Sequence, residues 1–116
     1  MIPPGTETIT FGLRLRAGCE AEYRRRHDAL WPDMQDALRG AGILHYEIHL
    51  YRPEGILFAF MIRRTDHTMD RLAEQAVFHR WRAHMADILE QTNDGPLRLD
   101  LEHMFTLPEA PGDTPV

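Results

Sequence analysis

Residues 56–62 read Ile-Leu-Phe-Ala-Phe-Met-Ile, an apolar run of strand length that follows the turn Pro53-Glu54-Gly55. A strand sends alternate side chains to opposite faces, so a run with no polar position asks for cover on both sides of its sheet. A chain of 116 residues has material for one domain, whose helices can cover one of those faces. The other face is left for a partner subunit.

Around that strand the hydrophobic period switches repeatedly. Ile9, Phe11, Leu13 and Leu15 alternate with Thr10, Gly12, Arg14 and Arg16, a strand closed by Ala17-Gly18. From Glu20 onward His27, Leu30, Met34, Ala37, Leu38 and Ala41 recur at helical spacing, and Gly40 and Gly42 end the pattern. Pro32 lies inside it and has no N–H to give the preceding turn. It predicts a kink near Leu30–Trp31, or two abutting helices with Pro32 in a first turn. A second strand spans Leu44 to Tyr51, with Tyr46, Ile48 and Leu50 on one face and His45, Glu47, His49 and Tyr51 on the other. Beyond the apolar strand, Asp66 or Thr68 caps a helical region holding Leu72, Val77, Phe78, Trp81, Met85, Ile88 and Leu89. Thr92–Pro96 is a loop, and Leu97, Leu99, Leu101, His103 and Phe105 alternate with Arg98, Asp100, Glu102 and Met104 in a last strand. The order β-α-β-β-α-β predicts an α+β, ferredoxin-like sheet with helices on one face, of the kind that pairs into a dimeric α/β barrel. Residues 1–107 form a single domain in this reading and 108–116 a loose tail.

Composition removes several functions. All 13 basic residues are arginines, so no lysine amine is available for a Schiff base or for pyridoxal phosphate. A net charge of −5 argues against nucleic acid, whose phosphates need a basic stripe. The one cysteine, Cys19, has no disulfide partner in the chain and no metal framework around it. His45 and His49 share a strand face but lie about 13 Å apart, too far for one metal ion. No apolar run reaches membrane-span length and no leader pattern opens the chain, so a cytoplasmic protein is expected.

Tyr23, His27 and Trp31 recur every four residues, on the face that Leu30, Met34 and Leu38 share. Tyr46 points from the second strand toward the same space. Such a cluster makes a pocket wall with flat apolar faces and a few polar tips. An imidazole with an ordinary pKa of about 6.5 offers general acid–base chemistry at neutral pH. On spacing alone His27 fits a hydrogen-bonded structural histidine as well, and Trp31 and Trp81 fit a core stripe. No GxSxG motif or phosphate-binding loop is present.

The segment Glu22-Tyr23-Arg24-Arg25-Arg26-His27-Asp28-Ala29-Leu30-Trp31-Pro32-Asp33 resembles the E-Y-x-x-R-H-x-x-I/L-W-P-E/D signature of the L-rhamnose mutarotase family. The resemblance continues through Tyr46–Leu50, the apolar strand, Asp66–Met69 and Arg80–Ile88, and it ends near Phe105. It implies a dimeric α/β barrel that interconverts the α and β anomers of a 6-deoxyhexose without metal or cofactor. It also implies a monosaccharide and a second copy as the partners. It assigns catalysis to His27, as acid toward the ring oxygen, and sugar contact to Tyr23 and Tyr46. The base would be tyrosine-bound water or a carboxylate such as Asp94. The family's Trp-Trp pair falls on Trp81 and Arg82, and Arg82 departs from it by adding a positive charge. That change favours a different deoxy sugar or an anionic one, unless Arg82 pairs with Asp87 or Glu90. The loop Gln91–Pro96 also departs from the family's N-P-D-N-S-P. Two alternatives remain open. One is a cofactor-free monooxygenase or haem-handling protein on the same barrel, with His27 or His84 as axial ligand. The other is a non-enzymatic sugar-binding module.

Overall fold

In the computed structural model, which describes residues 2–109, the chain begins β1 (Thr6–Arg14), α1 (Glu20–Asp28), α2 (Pro32–Gly40), β2 (Ile43–Tyr51) and β3 (Ile56–Arg64). A 3-10 turn (Met69–Glu74) and α3 (Ala76–Met85) follow. The hairpin β4 (Gln91–Thr92) and β5 (Gly95–Pro96) leads into β6 (Arg98–Asp100). The main sheet has the order β2-β3-β1-β6, antiparallel throughout.

Register decides which side chains meet the helices. Ile9, Phe11 and Leu13 stand opposite Met61, Ala59 and Leu57, which in turn stand opposite Tyr46, Ile48 and Leu50. The three helices cover this face. Leu57, Ala59 and Met61 are buried there, and each fully buried side chain of leucine size contributes about 1.5–3 kcal/mol. Strict alternation would place Ile43 and Tyr46 on opposite faces. A bulge between Ile43 and His45 resolves this by turning Leu44 outward, so both Ile43 and Tyr46 join the cluster around Met61. The pairing Thr8–Ile62–His45, Thr10–Phe60–Glu47, Gly12–Phe58–His49 forms the other face, where Phe58 is 39% exposed. Among the described residues no element lies over it, so within one chain β3 is covered on one side.

Pro32 separates two helices. Trp31 takes an extended ψ of 137° at the N-cap of α2, and Pro32 sits in its first turn, where a missing N–H costs nothing. The Gln35 side-chain amide donates to the Leu30 carbonyl at 2.8 Å, closing the break. The second helical region also divides: Leu72 belongs to the 3-10 turn, and Gln75 is extended before α3 begins. Ile88 and Leu89 remain buried although α3 has ended, held by a bridge from Leu89 to Leu15.

The last strand is much shorter than the alternation over 97–105 predicts. Only Arg98–Asp100 pairs, against Phe11–Leu13. Gly12 lets this crossing be close: a Cβ there would lie 3.1 Å from Leu99 Cβ, so a larger residue would make Leu99 give by a few tenths of an ångström. From Leu101 onward the described chain leaves the sheet and pairs with no strand. Met104, Phe105 and Leu107 are 83%, 72% and 77% exposed. The radius of gyration, 16.1 Å, accordingly exceeds the roughly 13 Å of a compact chain of this length. Most of the predicted tail, residues 110–116, lies outside the described residues. No described helix is long and apolar enough to cross a membrane.

Candidate active site

A cavity of about 780 Å³ opens between the covered face of the sheet and the helices, within the usual range for small-molecule sites. Tyr23 and His27 of α1, Tyr46 of β2, Trp81 and Arg82 of α3, and Arg98 of β6 all line it. The sequence singled out the first five. Arg98 it did not. Alternation along 97–105 carries no label for which set meets the cavity. The register to β1 supplies the label, placing Arg98 opposite Leu13 with its guanidinium 4.3 Å from the centre of the Phe11 ring.

The position of α1 is fixed by Arg26, whose side chain is 12% exposed. It donates to Glu22 at 2.6 Å, to the His84 carbonyl at 2.6 Å and to Asp87 at 2.8 Å, tying α1 to the end of α3. Hydrogen bonds from Arg25, the largest cause, and from Arg26 hold the Glu22 carboxyl down at about 2. His27, one residue on, is thereby set against α3. Its ring stacks on Tyr23 at 4.3 Å and meets the edge of Trp81 at 5.4 Å.

His27 Nδ1 lies 3.2 Å from the Tyr23 carbonyl oxygen, an acceptor only, so the proton of the neutral ring sits on Nδ1. Nε2 is then a lone pair with no partner among the described residues. Burial lowers the His27 pKa below its ordinary 6.5, outweighing the hydrogen bond to Tyr23 and the charge of Asp28. The imidazole is therefore neutral at pH 7. Burial pushes the Tyr46 phenol up to about 12, against the opposing charge of Arg98, and pushes Tyr23 up as well. Both stay protonated as donors. Neither hydroxyl bonds to another described residue, and no buried side-chain oxygen among the described residues lacks a partner, so both hydroxyls are open to solvent on residues that line the cavity.

Trp81 does two jobs. It packs on the cluster of Leu15, Leu57 and Met85, and it presents its edge to His27. Trp31 is displaced by the break at Pro32; it contacts Trp81 at 5.1 Å and His84 at 5.3 Å, outside the lining. His84 is likewise absent from the wall. Asp94 is exposed at the tip of the β4–β5 hairpin and does not line the cavity. Arg82 pairs with neither Asp87 nor Glu90, which are held by Arg26 and Arg14. Its guanidinium lies 4.6 Å from the centre of the Phe78 ring, beside Gly95. On the far side of the sheet, His45 and His49 both meet Glu47, at 2.7 and 2.6 Å. No group of histidine, cysteine and carboxylates among the described residues is arranged to hold a metal ion.

Fold and site together define a small α+β protein with an acid–base pocket for a compact polar molecule. The chain belongs to the L-rhamnose mutarotase family, whose pattern matches residues 8–107. It is 46% identical over 103 residues to an L-rhamnose mutarotase of Jannaschia sp., covering 88% of this chain and 99% of that protein. With the Burkholderia orbicola protein of the same name it shares 50% over 102 residues, 87% of this chain and 98% of the other. The crystal structure of an L-rhamnose mutarotase from Formosa agariphila superposes with a TM-score of 0.78 at 31% identity. That match covers 88% of this chain and 99% of the other.

Proposed function

We propose that this chain interconverts the α and β anomers of L-rhamnose or a related 6-deoxyhexose, with His27 as the proton carrier. The observation that carries the reading is a neutral imidazole whose unpartnered Nε2 shares a cavity with two free phenol hydroxyls. Nε2 takes the proton from the anomeric hydroxyl. The C1–O5 bond breaks as the C1 carbonyl forms, and the imidazolium returns the proton to O5. His27 is thus base first and acid toward the ring oxygen second. Rotation about C1–C2 presents the other carbonyl face, and the same steps in reverse close the ring. Tyr23 and Tyr46, which remain protonated, donate hydrogen bonds to the sugar hydroxyls, and Trp81 offers an apolar surface to the ring. No electron changes hands and the proton starts and ends on the substrate, so the reaction calls for no cofactor.

The working form in this reading is a homodimer of one-domain subunits. The sheet face carrying Phe58, Phe60 and Ile62 packs on a second copy, and residues 101–107 reach across to it, forming the α/β barrel. The apolar side chains exposed on that face and along that arm support this arrangement.

Saturation-transfer NMR at anomeric equilibrium tests the chemistry. His27→Asn is expected to keep the fold by circular dichroism and to lose about 10²- to 10⁴-fold in exchange rate. Exchange at the parental rate refutes the assignment.

A further inference from the structure

The arginines of this chain are not used evenly. Arg14, Arg25, Arg26, Arg63, Arg64, Arg80 and Arg98 each reach a carboxylate. Among the described residues Arg24, Arg52, Arg71 and Arg82 have neither a carboxylate nor any side-chain hydrogen bond, and three of these, Arg24, Arg52 and Arg82, line the cavity. The chain carries 18 acidic residues against 13 basic ones, so unpaired positive charge does not follow from a shortage of acids. Arg24 and Arg52 share a groove with Glu20 at the start of α1. Arg82 has no carboxylate within ion-pairing distance. It is held instead against the Phe78 ring, with Nη1 3.3 Å from where a Gly95 Cβ would stand. A side chain at that position would push the guanidinium away. The face of the fork is thus packed, while its donors have no acceptor among the described residues. Arg82 is exposed where it lines the cavity; an unpaired cation there attracts an anion, and a planar fork suits a carboxylate.

We propose that the cavity takes a hexuronate, a pyranose with a carboxylate in place of the C6 methyl group of a deoxyhexose, and that Arg82 recognises the carboxylate. This rests on the anomer-exchange reading: the same His27 serves the same anomeric carbon, and Arg82 selects the substituent on C5, beside the ring oxygen.

Anomer exchange in the wild-type protein is measured for L-rhamnose, D-galacturonate, D-mannuronate and L-guluronate at low and high salt, and then in Arg82→Gln. At least one uronate is expected to exceed L-rhamnose in kcat/KM at low ionic strength. That advantage should shrink severalfold at about 0.5 M salt, where charges are screened beyond a few ångströms. In Arg82→Gln the uronate-to-rhamnose ratio is expected to fall at least about tenfold. Exchange of L-rhamnose with none of the uronates overturns the proposal and leaves the mutarotase reading standing. So does a ratio that neither salt nor Arg82→Gln changes. Failure to exchange any of the four sugars sinks both.

Discussion

The two faces of this sheet are made by the same four strands and behave as different materials. Toward the helices, Phe11, Leu57, Ala59 and Met61 are buried, and the polar tips that remain, on Tyr23, His27 and Tyr46, gather around one cavity. On the reverse, Thr8, Thr10 and Gly12 stand opposite Ile62, Phe60 and Phe58, and His45 and His49 both bond Glu47. The first face is finished by its own chain. The second has apolar side chains and no cover, a combination that marks an interaction surface. In the proposed reading chemistry and association occupy opposite sides of one sheet and can be disturbed separately.

The largest expected effect comes from breaking the reverse side. Phe60→Glu sets a charge at its centre, next to Glu47, and sedimentation is expected to show the species falling to the mass of a single chain. Exchange should persist, because every group assigned to the chemistry comes from one chain. A dimer that survives this variant removes the assigned interface. A milder perturbation, acid, separates the faces from the other side. Because burial lowers the His27 pKa below 6.5, exchange is expected to hold down to pH 6.5. It should then fall about tenfold per pH unit once the lowered pKa is passed. The same shift makes the unfolded chain the better proton acceptor, so the part of stability linked to His27 declines as pH drops through this window. A pH–rate profile that turns down above 6.5 contradicts the burial. The smallest effect belongs to the edge. Gly12→Val puts side-chain carbons where Leu99 already stands, and chemical denaturation should register a loss of about 1–3 kcal/mol. No loss would mean that β6 can shift away at no cost.

Much of the site was readable because helical spacing is local. Tyr23 and His27, four residues apart, share a helix face whatever the tertiary structure, and their inward orientation followed from Leu30, Met34 and Leu38. Trp31 was placed with them by the same rule, and the rule failed at Pro32, where a new helix starts and the phase resets. Tyr46 was assigned to the correct face by alternation from Leu50 backward, but its neighbour Leu44 turns outward at a bulge that no local pattern announces. Arg98 was missed because a strand edge has two faces and only pairing says which is inner. Arg82 was recognised as unusual by its type; that Asp87 and Glu90 are already engaged elsewhere is a fact about arginines distant in sequence.

Sequence alone therefore determined the order of the main elements, the strand that is apolar on both faces, and the imidazole beside a tyrosine one helical turn away, because each depends on periodicity within a few residues. The tertiary structure decided which nitrogen of His27 meets the backbone, which edge residue lines the cavity, which described arginines stay unpaired and where the last strand stops. Those outcomes depend on register and on competition among groups far apart in the chain, and neither is encoded in any single segment.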